Sequence, residues 1–244
     1  KIVNELDDSP VIIKVIPDMY DILSGSVKMT SIFGAPLIEI SREIMPAWEQ
    51  SVKRIFDVSV SLFVLIAFSW VYVILAIAVK LGSKGSIFYS HERIGWHGKP
   101  FFIHKFRSMY MDAEKNGPAL SSKKDPRITN LGNFLRKVRL DEIPQFYNVL
   151  IGEMSLVGPR PNTLKAVATY SPEERSLLVA RPGMTDFSSI VFSDEGDIIK
   201  GAADPDAEYD RLIRPWKSQL GLLYVKNANA FLDIKLIGLT VIAI

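Results

Sequence analysis

The sequence predicts a helix-rich α/β monotopic membrane protein with a re-entrant N-terminal membrane helix, a small β-hairpin and surface amphipathic helices. Three observations carry that prediction. Residues 58–79 (VSVSLFVLIAFSWVYVILAIAV) hold no charged side chain, with Lys53 and Arg54 before them and Lys80 and Lys84 at their far end. Two β-type runs, SIFYSHERIG and PFFIHKFRSM, flank Trp96-His97-Gly98-Lys99 within 86–108. The 244 residues are 48% hydrophobic and 23% charged, which suits a folded protein with membrane contact and excludes a disordered one.

The elements follow in chain order. Residues 11–16 (VIIKVI) read as a buried strand ended by Pro17, 18–24 as a short helix, and 37–40 (LIEI) as a second strand after a turn at Gly34 and Pro36. This βαβ-like piece is too small to bury a core alone. It has no Gly-rich phosphate loop, so no chemistry is assigned to it. The uncharged run, as one uninterrupted helix, would be about 33 Å long, close to the thickness of a bilayer core. Lys and Arg prefer the cytoplasmic side of a membrane, so basic residues at both ends conflict with a simple span. A helix that enters and leaves by one leaflet resolves the conflict.

The hairpin comes next, then a helix over 130–139. Asp141 is placed to cap a second helix running to about Ile151, with Pro144 in its first turn. Residues 172–180 and 206–222 are further helices, and 228–244 end in an apolar stretch suited to a membrane surface. These readings divide the chain into 1–45, 46–85 with the membrane helix, and 86–244.

Charge is distributed unevenly. Residues 1–50 hold 4 Lys/Arg and 8 Asp/Glu, whereas 51–244 hold 25 and 19. The densest basic stretch, 99–139, contains ten Lys/Arg opposed only by Asp112, Glu114 and Asp125. A solvated face is the plain reading; a surface for anionic lipid or a phosphorylated substrate is the sharper one. The absence of cysteine excludes disulfides and thiolate chemistry. His91, His97 and His104 fit no zinc spacing and are read as hairpin residues, and Gly82-Ser83-Lys84-Gly85-Ser86 lacks the Walker spacing and is read as a turn.

Two constellations point to chemistry. Asp141-Glu142 follows Arg139 at a helix start, where the dipole favours negative charge. An ionised Asp can act as a nucleophile toward phosphorus, and a neighbouring carboxylate can hold magnesium together with substrate phosphate oxygens. In Gly158-Pro159-Arg160-Pro161, proline restricts the residue before it, so Arg160 is held extended as a clamp for phosphate.

The runs KFRSM (105–109), LGNFLRKVRLDEIPQFYNVLIGEMSLVGPRP (131–161), RPGMT (181–185) and YVKNANAFLDIK (224–235) resemble, in family order, the bacterial sugar transferases. These are monotopic polyprenyl-phosphate phosphoglycosyl transferases of capsule, exopolysaccharide, O-antigen and glycoprotein pathways. The resemblance covers roughly residues 48–244, and 1–45 resemble the tail of the Rossmann-like domain that precedes the catalytic module in long members. It implies a hexose-1-phosphate transfer from a UDP-sugar to undecaprenyl phosphate, with UMP released and a covalent aspartyl-phosphosugar formed on Asp141.

By the same resemblance Glu142 binds Mg2+, Arg160 holds a phosphate, Lys105, Arg107 and Arg139 line the anionic pocket, and Asp233 contributes to the polar site. The implied partners are the UDP-sugar, the polyprenyl phosphate and membrane lipids, with no nucleic acid; a homodimer is left open. The implied location is the cytoplasmic face of the bacterial inner membrane. Two departures matter: Ser69-Trp70 stands where many members have Ser-Pro at the helix bend, and DFSSIVFSDEG (186–196) replaces the usual Trp and basic residue after RPG-x-T. A catalytically inactive membrane scaffold that recruits glycosyltransferases is the competing reading.

Overall fold

The computed structural model describes residues 44–111, 113, 125–192, 198 and 205–243, and the backbone of 14–15, 29–32 and 35–39. The chain divides into two compact units, Lys1–Glu43 and Ile44–Ile244. In the first, β1 (Lys14–Val15), β2 (Met29–Ile32) and β3 (Ala35–Glu39) form an antiparallel sheet in the order β1-β3-β2. The βαβ-like expectation is corrected for these strands, because a βαβ unit requires parallel neighbours and β2 and β3 pair as a hairpin. The helix expected at 18–24 lies outside the described residues.

The second unit is helix-rich with two small sheets. It opens with α1 (Ala47–Ala67) and α2 (Ser69–Gly82), which meet at a 63° bend. The uncharged run is therefore two helices rather than one. Proline is not needed to turn it. Phe68 sits at φ −102° and ψ 15°, its N–H donates to the Val64 carbonyl at 3.1 Å, and its own carbonyl accepts from Val71 and Tyr72. The hydrogen-bond ladder restarts at Phe68, and the small polar Ser69 follows, a residue type found at kinks. Among the described residues no single helix is long and apolar enough to cross a membrane; α1 and α2 meet that test only together.

The base of this bent pair is bonded into the rest of the unit. Arg54 donates to the carbonyls of Val149 and Leu150 at 2.6 and 2.8 Å, and the buried Asp57 carboxylate accepts from the Leu156 N–H at 3.1 Å. From α2, the Tyr72 hydroxyl donates to the Ile143 carbonyl at 2.8 Å. Leu75 and Val79 pack with Phe106 and Leu135 in one apolar core, while Phe101, Ile103, Val149, Met154, Tyr224 and Leu236 belong to the other. The bend itself keeps its apolar side chains exposed: Phe63, Ile66, Phe68, Trp70, Val73 and Ile74.

The expected hairpin is β4 (Phe88–Ile94) and β5 (Pro100–Phe106), paired antiparallel from Phe88↔Phe106 to Ile94↔Pro100. Its turn takes a left-handed residue at His97 and another at Gly98. α3 (Asn130–Lys137) starts at Thr129, whose side chain accepts from the Gly132 N–H. α4 (Gln145–Ile151) ends at Gly152, with φ 91°. β6 (Ser155–Val157) runs parallel to β7 (Gly183–Thr185). Just beyond β6 the backbones touch at Gly158, where a Cβ would lie 2.2 Å from the Arg181 carbonyl oxygen.

Shorter pieces complete the unit. α5 (Leu164–Ala168) is capped by Thr163 and α6 (Phe187–Val191) by Asp186. The helix expected at 172–180 is a 3-10 turn over Glu174–Val179. The one expected at 206–222 is divided at Ile213 into α7 (Pro205–Leu212) and α8 (Arg214–Asn227). The apolar C-terminal stretch is α9 (Ala230–Ala243), with Phe231, Ile234, Val241 and Ile242 exposed.

Candidate active site

Asp141 and Glu142 lie in a 3-10 turn, Leu140–Glu142, between α3 and α4. Arg139 enters it in the left-handed region, at φ 54° and ψ 21°, which reverses the chain. The expectation that Asp141 caps the following helix is corrected here, because Pro144 occupies the N-cap position of α4. Pro144 fixes where α4 starts, and this leaves the two carboxylates free of capping duty.

Glu142 is the hub of the site. Lys105, from β5, places Nζ 2.6 Å from Glu142 Oε1, and an Arg160 terminal nitrogen lies 2.8 Å from the same oxygen. Arg139 approaches Oε2 at 3.8 Å. Four of the predicted site residues, Lys105, Arg139, Glu142 and Arg160, thus meet around one carboxylate, with Asp141 next to it in the chain. Burial by itself would raise the Glu142 carboxyl. Lys105 and Arg160, and then Arg139, outweigh burial and hold it well below the usual carboxylate range. Asp141 is 7% exposed, and its carboxyl is raised, first by burial and then by the Glu142 charge, against opposing pulls from Lys105 and Arg136.

Lys105 and Arg160 also line a cleft of about 500 Å³. Arg93, Lys165, Arg214 and Lys217 add to its basic wall, opposed by Asp186 and Asp210. Such a cavity is large enough for a small organic ligand and is charged to collect an anion. The Gly158 contact fixes the turn that carries Arg160, since no side chain fits there.

Arg107 and Asp233 are placed differently from the Glu142 group. The buried Arg107 guanidinium donates to the carbonyls of Lys84 and Ser83, at 2.5 and 2.8 Å, where α2 ends. Its partners are backbone oxygens of the chain leaving the bent helix pair. Asp233, also buried, pairs with Lys53 at 2.5 Å and accepts from the Tyr224 hydroxyl at 2.8 Å. Lys53 in turn donates to the Val157 carbonyl at 2.8 Å. This network joins α1, α8, α9 and β6.

Sequence reasoning missed several residues on the cleft. His91, read as a hairpin residue, is on the hairpin, but on its cleft-facing side with Arg93, Ile103 and Lys105. Gln145 lies four residues beyond Asp141, a helical interval that could have flagged it. Arg214 and Lys217 come from far along the chain, and nothing local marks them.

Residues 48–244 match the bacterial sugar transferase family along their whole length. The chain belongs to that family. This sugar transferase is 33% identical, over 247 aligned residues, to the UDP-glucose:undecaprenyl-phosphate glucose-1-phosphate transferase of Klebsiella pneumoniae, covering 98% of this chain and 50% of that protein. It is 35% identical over 212 residues to the undecaprenyl-phosphate glucose phosphotransferase of Komagataeibacter xylinus, covering 84% of this chain and 38% of that protein. With the undecaprenyl-phosphate galactose phosphotransferase of Salmonella typhimurium it shares 32% identity over 242 residues, covering 92% and 47%. The chain spans half or less of the length of these relatives. The sugar transferase family is a family of enzymes, and the Asp141–Glu142 turn lies within its matched region.

Proposed function

We propose that this sugar transferase moves a sugar 1-phosphate from a UDP-sugar to undecaprenyl phosphate through a covalent intermediate on Asp141. The observation that carries the reading is the Glu142 hub: an ionised carboxylate beside a buried one, paired with Lys105 and Arg160, which themselves line a basic cleft. The relatives named for undecaprenyl-phosphate glucose and galactose transfer support the substrate class.

The Asp141 carboxylate attacks the β-phosphorus of the UDP-sugar. An acyl-phosphate bond forms, the bond from the β-phosphorus to the bridging oxygen breaks, and that oxygen leaves with UMP. A phosphate oxygen of undecaprenyl phosphate then attacks the same phosphorus. The acyl-phosphate bond breaks, the carboxylate is regenerated, and the sugar departs on a diphosphate. Two steps mean that the two anionic substrates need not share the site at once. Lys105, Arg139 and Arg160 offset phosphate charge in each step.

The donor chemistry suits magnesium. Glu142 Oε2 has Arg139 only at 3.8 Å, beyond hydrogen-bond length, and so retains coordinating capacity. Magnesium commonly takes one or two protein carboxylates together with substrate phosphate oxygens. Glu142 would hold the ion together with substrate phosphate oxygens, and the bound cation supplies charge neutralisation at those phosphates.

The bent α1–α2 pair is the membrane element of this reading. Basic residues at both ends and exposed apolar side chains around Phe68 suit a helix pair that dips into the cytoplasmic leaflet and returns. In this reading the cleft would lie near headgroups, where a polyprenyl phosphate presents its anion.

The test is UMP release from UDP-glucose, UDP-galactose and their N-acetylated forms, with magnesium and with undecaprenyl phosphate present or withheld. With lipid withheld, the phosphosugar should stay on the wild-type protein and be absent from Asp141→Asn. Full transfer by Asp141→Asn would overturn the nucleophile.

A further inference from the structure

We infer that Gln145 and His91 form a pair of neutral hydrogen-bond donors that grip phosphoryl oxygens of the nucleotide-sugar in the cleft. The inference rests on the proposed function and extends it to two residues outside the Glu142 hub.

Both side chains line the cleft with Lys105 and Arg160. Gln145 is 2% exposed, yet its amide nitrogen finds no acceptor among the described residues. The His91 Nδ1 is likewise buried without a partner. A buried donor left unpaired is costly, and native structures keep few of them. Two on the wall of one cavity, within a basic cluster, point to an acceptor brought by a ligand.

The protonation state of His91 follows from its other nitrogen. His91 Nε2 accepts from Arg93 Nε at 2.6 Å, and Arg93 Nε always carries hydrogen. In the neutral ring the proton is therefore on Nδ1, the unpartnered atom. Burial, and then the charges of Arg93, Lys105 and Arg160, push the ring down to about 3, so it stays a neutral donor at working pH. Gln145 is neutral by nature and sits one helical turn from Asp141.

The same neighbours indicate which ligand group is gripped. His91 feels Arg93, Lys105 and Arg160, and these side chains attract phosphate oxygens rather than an uncharged sugar ring. Glu142 already offsets much of the Lys105 and Arg160 charge. Neutral donors then add directional bonds that strengthen as negative charge shifts between the phosphoryl oxygens during transfer.

The test compares wild type with Gln145→Met, Gln145→Glu and His91→Phe in three measurements: UMP release, direct binding of UDP, and melting temperature. Gln145→Met keeps volume and removes the donor. It should lower UMP release ~10- to 100-fold by a similar factor for UDP-glucose and UDP-galactose, and should weaken UDP binding. Its melting temperature should match or exceed wild type, because no protein partner is lost. His91→Phe should act in the same direction, and Gln145→Glu should be worse than Gln145→Met by repelling phosphate.

Wild-type UDP binding and UMP release in Gln145→Met would overturn the inference. So would a loss confined to one sugar with UDP binding unchanged, since the donors would then read the sugar. A wild-type protein that binds UDP but releases no UMP sinks the proposed function instead, and the effect of Gln145→Met on UDP binding still decides the donor pair.

Discussion

Asp141 and Glu142 are adjacent in one 3-10 turn and are driven in opposite directions by their surroundings. Glu142 is held ionised by Lys105, Arg160 and Arg139, while Asp141 is raised by burial and by Glu142 itself. One carboxylate is anchored by bonds it has already made. The other holds charge that is costly where it sits, which favours making a bond to phosphorus.

Replacing Asp141 should separate stability from activity. Asp141→Asn removes a buried charge next to another carboxylate, so its melting temperature should equal or exceed wild type. UMP release should fall at least about a thousandfold. Differential scanning calorimetry alongside the release assay measures both.

Glu142→Gln should move the acid limb of the pH–rate profile. The proposed attack needs ionised Asp141 and should be lost as pH falls through its raised pKa. Removing the Glu142 charge lowers that pKa, so the remaining activity should persist to lower pH. Stability follows a separate rule. Because the Glu142 pKa is depressed on folding, its contribution is full above its unfolded value, about 4.3, and is lost as pH falls toward the folded one. The variant should be about 3 kcal/mol less stable than wild type at pH 7, and urea titrations below pH 4 should show the gap closing.

Arg107 and Arg160 should give different phenotypes although both are predicted phosphate binders. Arg107→Gln leaves the carbonyls of Ser83 and Lys84 without their charged donor and should cost about 2 kcal/mol or more of stability. Arg160→Gln should weaken nucleotide binding ~10-fold or more with a smaller change in stability. Titration calorimetry with UDP and thermal melting distinguish them. Equal loss of UDP affinity in both variants would return Arg107 to the anionic pocket.

The Lys53–Asp233 pair predicts a non-additive double mutant. Asp233→Leu alone leaves the Lys53 charge buried and should cost about 3–5 kcal/mol. Lys53→Met with Asp233→Leu should recover much of it, because both charges go together. A double-mutant cycle in urea reads the coupling.

Charged residues at the helix bend should detach the protein from lipid. Phe63→Asp and Trp70→Asp each place a carboxylate where the apolar surface is exposed. Each should reduce co-sedimentation with anionic liposomes by about tenfold or more at unchanged melting temperature.

The sequence was most informative where chemistry is local. Asp141, Glu142 and Arg160 stand in compact motifs, and the hairpin follows from a period-two pattern around a tight turn. The bend at Phe68 was harder to read, because a helix can break without proline when the flanking helices pack separately. Arg107 and Asp233 show a further limit. A basic or acidic residue in a motif announces that charge is needed, but its partner may lie on an element remote in sequence, as Lys53 does for Asp233. His91 and Gln145 were hidden because sequence does not state which buried donors remain unpaired.

Arg54 and Asp57 give the bent helix pair a second role. Arg54 closes the C-terminal carbonyls of α4, and Asp57 receives the Leu156 N–H of β6. The bent pair is thus part of the scaffold of the enzyme. Deleting residues 46–85 would strip hydrogen-bond partners from the very elements that hold Gln145 and Arg160. A change directed at the exposed apolar bend has to leave that base intact.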